Sequence, residues 1–157
     1  MAEIPYVNSM AQAGLGSKIS INTGTVLSPT YIRIFEVTSI KQSGRVAKMV
    51  EVTNLQSGAV ERITTLVDSG TVECSGNRVV GDPGQIAAEA AFETLASNVG
   101  FQIELRKSPT QTTKGDTYTF VGVVSEYDPI SEISVDKAIT STIKVTISNT
   151  MTFAAGS

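Results

Sequence analysis

Apolar residues recur along most of this chain with a period of two, and the one stretch that departs from that rhythm predicts a helix. Lys18 to Thr23 (K-I-S-I-N-T) alternates polar and apolar residues and stops at Gly24, which predicts a first strand and a turn. Tyr31 to Lys41 (Y-I-R-I-F-E-V-T-S-I-K) is dense in β-branched and aromatic residues and predicts a second strand. Gln42-Ser43-Gly44-Arg45 then supplies turn chemistry, so Val46 to Thr53 is expected as a third strand paired to the second in a hairpin. Between Asn54 and Gly81, polar turns at Gln56-Ser57-Gly58, Asp68-Ser69-Gly70 and Ser75-Gly76-Asn77 separate short apolar runs such as Ile63 to Val67. This region reads as an extended excursion.

The helix signal is Asp82-Pro83-Gly84-Gln85: an N-cap acid, proline at the first helical position and Gln at N3, a variant of the capping box. Ile86, Ala90, Ala91 and Leu95 form the predicted apolar stripe of a helix over Pro83 to Asn98, with Glu89 and Glu93 opposite and Asn98 to Gly100 as its stop. Three strands follow. Phe101 to Lys107 puts Phe101, Ile103 and Leu105 on one face and Gln102, Glu104 and Arg106 on the other. Thr117 to Ser125 is next, and a polar connection around Asp128 to Asp136 leads to Ala138 to Ser148. In that last run Ile139, Ile143, Val145 and Ile147 oppose Thr140, Thr142, Lys144, Thr146 and Ser148. The expected fold is mainly β within the α+β class: an antiparallel β-sandwich or rolled sheet with one flanking helix. Its boundaries are a flexible N-terminal arm over residues 1–17, one domain over 18–150 and a C-terminal arm over 151–157.

Composition narrows the chemistry. The chain has 157 residues, enough for one domain with its own core, and with no Trp that core must come from aliphatic residues, Thr and a few rings. It has one cysteine, Cys74, and no histidine, which removes an internal disulfide, a Cys-x-x-Cys zinc site, the Ser-His and Cys-His nucleophile pairs and the usual neutral-pH base. Asp68, Glu126, Asp128, Glu132 and Asp136 could gather as a calcium or acid–base cluster, but they lack EF-hand spacing and lie in polar segments. No cofactor, metal or catalytic residue is expected. Cys74 reads as a small buried hydrophobe. The net charge is −3 and the basic residues are scattered, which disfavours tight binding to nucleic-acid phosphates. Met1 to Ser17 has neither the basic start nor the apolar run of a signal peptide, and no segment is long and apolar enough to span a membrane as a helix, so assembly in the cytoplasm is the expectation.

One segment carries apolar residues that its position does not explain. Leu55, Val60, Ile63, Leu66 and Val67, with Glu61 and Arg62 among them, lie in the Thr53–Gly70 excursion, where turn triplets separate them from the small core. They are the candidate subunit-contact residues, with refolding onto the same domain as the plain alternative.

The order of these pieces resembles a known family. Tyr118 to Ser125 (Y-T-F-V-G-V-V-S), an acidic connection and Asp136 to Ser148 (D-K-A-I-T-S-T-I-K-V-T-I-S) are similar to the C-terminal half of phage tail tube proteins, the lambda-like tubes of siphophages in particular. The helix followed by F-Q-I-E-L, V-T-S-I at Val37 to Ile40 and V-T-N-L-Q-S-G at Val52 to Gly58 fit the same order. The resemblance covers Lys18 to Ser148, and its specificity lies in the succession of pieces. It implies a homo-hexameric ring whose subunits each give one sheet to a continuous barrel, with rings stacked into a tube in the phage tail. DNA would pass through without sequence-specific binding. It further implies terminator, tape measure and tail tip proteins as partners, and Gln102, Glu104, Arg106, Thr142, Lys144 and Thr146 as candidates to face the bore. A tail terminator, a capsid decoration protein, a β-sandwich adhesion module and a carboxylate enzyme are the alternatives.

Overall fold

Tyr31 to Lys41 is not one strand, and its break organises the molecule. In the computed structural model, which describes residues 13–157, β1 (Lys18–Asn22) is followed by a short β2 (Tyr31–Arg33), a bend through Ile34 to Glu36, and β3 (Val37–Ser43). Glu36 takes φ 57, a left-handed conformation unusual for a residue with a side chain. It comes in against Gly76, where a Cβ would lie 2.2 Å from the Glu36 carbonyl oxygen. The bend lets β2 pair with β1 while β3 pairs elsewhere.

The remaining elements are β4 (Val46–Glu51), β5 (Arg62–Asp68), β6 (Thr71–Asn77), α1 (Pro83–Glu93), β7 (Val99–Glu104), β8 (Thr117–Glu132), β9 (Thr140–Ile147) and β10 (Thr152–Ala154). Among the described residues they form an antiparallel sheet of order β2-β1-β7-β8-β9-β6-β3, with β10 also on β8, and a separate two-stranded sheet β4-β5. The fold is mainly β with one helix, as the alternation predicts. Its form is the rolled sheet: the Ile34 N–H donates to the Ile19 carbonyl at 2.9 Å, and Val37 and Ile40 of β3 pack on the same core as Ile103 and Leu105. Ile19, Ile21, Val72, Phe101, Phe120 and Val145 are the best-buried large side chains, and Phe101 stacks on Phe120 at 5.6 Å between centroids. Cys74 is buried among them.

Further expectations need correction. The predicted hairpin between the second and third strands does not form: β3 pairs with β6, and β4 pairs with β5. Strand β3 and strand β4 are instead one side of a long ribbon and β5 and β6 the other, hinged where Gly44 and Gly70 face each other, both at positive φ. A Cβ on Gly70 would lie 2.0 Å from the Ser43 carbonyl oxygen, so glycine is required there. The helix ends at Glu93, with Thr94 as its C-cap, and its buried face is Gly84, Gln85 and Ala88, flanked by Ala87, Ala91 and Phe92. Ile86, Ala90 and Leu95 of the predicted stripe are exposed, because the face turned to the sheet is the one that carries Gly84, Gln85, Ala88 and Phe92. Finally, β8 does not stop at Ser125. A bulge at Ser125 absorbs one residue, and the strand continues through the expected polar connection to Glu132, burying Tyr127 on the way.

The N-cap is as predicted, with Asp82 accepting from the Gln85 N–H at 3.1 Å. Gln85 does not complete a capping box. Its Oε1 accepts from the Val79 N–H, and its Nε2 donates to the carbonyls of Asn77 and Phe35, joining the helix to β6 and the bend. The C-terminal segment read as an arm lays Thr152 to Ala154 along β8, and the Ser157 N–H donates to the Lys114 carbonyl. Residues 1–12 of the N-terminal arm lie outside the described residues.

Candidate assembly surfaces

The ribbon beyond Gly44 and Gly70 is where the chain places its unexplained apolar residues. Every residue of β4 and β5 is exposed, although both strands are rich in Val, Ile, Leu and Met. Leu55 at the tip is fully exposed, Leu66 is 69% exposed and Val60, Ile63 and Val67 are each more than half exposed. Val46, Met49 and Val50 add to them. The five apolar candidates named from sequence therefore share one projecting hairpin, with Glu61 beside its loop and Arg62 opposite Glu51. They do not fold back onto the core. The hairpin holds its shape by its ladder and by local bonds: the Thr53 hydroxyl accepts from the Glu61 N–H, and the Asn54 side chain accepts from the Gln56 N–H. A hairpin of this kind is marginal alone in water, and its apolar side chains gain free energy only when covered.

The second surface is the outer face of the sheet over β3, β6, β9 and β8, where the register sets polar residues in rows. Ser43, Thr71 and Thr146 form one row, which ends at the apolar Val123, and Ser39, Ser75, Thr142 and Asp128 another. Between them runs a charged row, Lys41, Glu73, Lys144 and Glu126, in which sign alternates from strand to strand. Thr140 and Glu132 end the face beside Asn77. Of the bore candidates, Thr142, Lys144 and Thr146 sit at its centre. Gln102 and Glu104 share this side of the sheet but lie on β7, half-buried, with Glu104 paired to Lys18 at 3.4 Å. Arg106 lies past the end of β7, where its N–H donates to the Ser17 hydroxyl. The structure thus divides the six candidates into a central trio and a β7 group. Glu73, Lys41 and the acids of β8 join the face only through strand pairings that span most of the chain, which alternation cannot show.

The acids suspected of clustering are dispersed. Asp68 caps the Gly70 N–H at the hairpin base, Glu132 pairs with Lys137 at 3.5 Å and Asp136 accepts from Ser134. Among the described residues, no group of three or more Cys, Asp or Glu gathers where it could hold a metal ion. A groove of about 590 Å³ lies between the bend and the helix start. Of its acids, Glu36 accepts from Asn77 and Asp82 serves as the helix cap. Burial pushes the Cys74 thiol up to about 12. Burial also raises Tyr127, with Glu89 adding to the rise and Arg78, which hydrogen-bonds to it, opposing it.

No protein-family model and no curated protein matches the sequence. Solved structures do match over nearly the whole chain. A chain of the anti-feeding prophage tube-terminating cap superposes with a TM-score of 0.69 at 8% identity, covering 98% of this chain and 97% of that one. A chain of the extended sheath–tube complex of the PVC extracellular contractile injection system gives 0.68 at 9% identity, covering 93% of each. The chain has a tail-tube-like fold. A chain from the tail of an empty gene transfer agent particle, refined with C6 symmetry, gives 0.65 at 17% identity, covering 92% of this chain and all of that one. At such identities the likeness is one of fold.

Proposed function

We propose that this chain is the structural subunit of a phage-type tail tube: it closes into six-membered rings that stack into a hollow conduit for DNA, and it is not an enzyme. The observation that carries this reading is the β4-β5 hairpin, a well-formed ribbon of exposed apolar side chains that its own domain leaves uncovered. Burying its side chains against a neighbour is worth several kcal/mol at about 25 cal/mol per Å². The chain's tail-tube-like fold supports self-association as the way they become covered. The outer sheet face, with two lysines and four acids in its rows, suits a bore wall, since an acidic polar surface does not hold DNA phosphates. On this reading the partners are other copies of the chain and the terminator, tape measure and tip components of the same particle, in a siphophage-like tail assembled in the host cytoplasm.

A terminator is the second reading, because matching chains come from a tube-terminating cap and from a sheath/tube terminator structure. Sedimentation velocity over a concentration series separates the possibilities. A tube subunit grows into long polymers as concentration rises, a terminator stops at one ring and an adhesion module stays monomeric. A purely monomeric boundary at every concentration would refute the proposal.

A further inference from the structure

The roll of the sheet leaves part of its core uncovered beside the first described residues. A groove of about 400 Å³ lies between β3 and the end of β7, walled by Val37, Ile40, Ile103 and Leu105 and completed by Gly14 and Ser17. Val37, Ile40 and Leu105 pack against the buried cluster on one side yet are only half-buried. No charged residue lines the groove. From Gly14 the chain runs back through Ile4-Pro5-Tyr6-Val7-Asn8-Ser9-Met10, an uncharged stretch with four large apolar or aromatic side chains. We infer that this groove takes the chain's own Ile4–Met10 segment, and that Ile4, Tyr6, Val7 and Met10 complete the core at its open side. The assignment concerns a single chain, goes beyond the ring reading and does not depend on it.

Three features select this occupant. The first is attachment. The Ser17 N–H donates to the Gly14 carbonyl at 3.0 Å, and the Ser17 hydroxyl accepts from the Arg106 N–H at 3.1 Å, so the chain is fastened to the end of β7 where it enters the groove. The second is reach. Met10 lies four residues and Val7 seven residues before Gly14, spans of about 13 and 24 Å when extended. A group on so short a tether acts at an effective concentration on the order of millimolar, well above that of a second copy in dilute solution. The third is chemistry. The exposed β4-β5 hairpin is the other apolar segment that a second copy could offer, but it carries Lys48, Glu51, Glu61 and Arg62 among its apolar residues. An uncharged groove gives those charges no partner, whereas Ile4–Met10 brings none.

A single fluorophore tests the assignment. The chain has no Trp, so Tyr6→Trp supplies the only indole. At concentrations where sedimentation shows monomer alone, its emission is expected to be blue-shifted and several-fold less quenched by acrylamide than in the same variant unfolded in urea. Adding Leu105→Lys at the half-buried wall of the groove should return the emission toward that of water while far-ultraviolet circular dichroism stays unchanged. Water-like emission from the folded monomer would overturn the inference. Emission that shifts only as chains associate would give the groove to a second copy and overturn it equally, and a blue shift unmoved by Leu105→Lys would seat the segment elsewhere. Should Leu105→Lys fail to fold, photo-cross-linking decides. Benzoylphenylalanine at position 6 should link, within one chain, to peptides holding Val37 to Ile40 or Ile103 to Leu105, and links confined to other peptides would contradict the assignment. Every readout is taken on the monomer, so failure here leaves the ring reading standing, and failure to polymerise leaves this assignment standing.

Discussion

Asp82 shows how much one buried carboxylate holds in this fold. Its Oδ2 accepts from the Gln85 N–H at 3.1 Å and from the Phe35 N–H at 3.3 Å, so one side chain both caps α1 and fixes the bend between β2 and β3. Asp82→Ala should lower stability by at least the ~1 kcal/mol typical of a lost cap, and nearer ~2 because a second donor is orphaned. Urea unfolding of the monomeric subunit measures it, and Asp82→Asn should recover part of the loss. The cap was legible in the sequence; its bond to Phe35, 47 residues away in the chain, was not. Cys74 gives a second prediction. With its thiol pushed up to about 12 by burial, it stays protonated in the folded chain while an unfolded chain ionises near 9. Between those values the unfolded state binds fewer protons, so the contribution of Cys74 to stability falls as pH rises. A thiol reagent at pH 8 should therefore modify unfolded but not native protein, and the stability gap between the native sequence and Cys74→Ala should narrow from pH 9 upward. Rapid labelling of native protein would contradict this burial.

At the scale of elements, what was readable divides along local and long-range lines. Alternation located β1, β7 and β9 and most of their inward residues, because a half-buried strand writes its period into the sequence. Ile139, assigned to the inward face, precedes β9 and is exposed, and Leu105 lies past the end of β7. Alternation could not show that β3 passes by β4 to pair with β6. Ser43-Gly44-Arg45 looks the same whether a strand folds back or merely hinges, and the deciding partner, Gly70, lies far along the chain. Bulk misled at the helix, where Ile86 is outside and Ala88 inside, since the face turned to the sheet is set by Gly84, Gln85 and Ala88 and not by the largest apolar residues. The apolar residues of the excursion were legible in the sequence, while its hairpin form was not foreseen. The hairpin can be tested apart from the core. Leu66→Asp combined with Glu61→Lys and Arg62→Glu should leave circular dichroism and melting near those of the native sequence, because these side chains touch little of the domain, yet abolish polymerisation. Unfolding of the monomer would show instead that the hairpin supports the core. Gly70→Ala should be harsher, destabilising the subunit by about 1–3 kcal/mol through its positive φ and the clash with Ser43.

At the scale of the whole molecule, the proposed function gives the two surfaces different tasks, the hairpin joining subunits and the outer sheet face lining a wet channel. The rolled sheet keeps its core on one side of β6, β9 and β8, which leaves their other side free to remain polar. If that side lines the bore, its charge governs passage of DNA. Asp128→Lys with Glu132→Lys should make assembled tubes retain DNA in low salt and release it as salt rises, whereas native tubes retain little at any ionic strength. Equal retention by both would place this face away from the channel. The central claim, that the chain builds a hollow tube from itself, is met most directly by electron microscopy of the concentrated purified protein. Long, even-width tubes whose end views show six-fold rings around a stain-filled hole are expected; monomers alone, or filaments with no central channel, would contradict it.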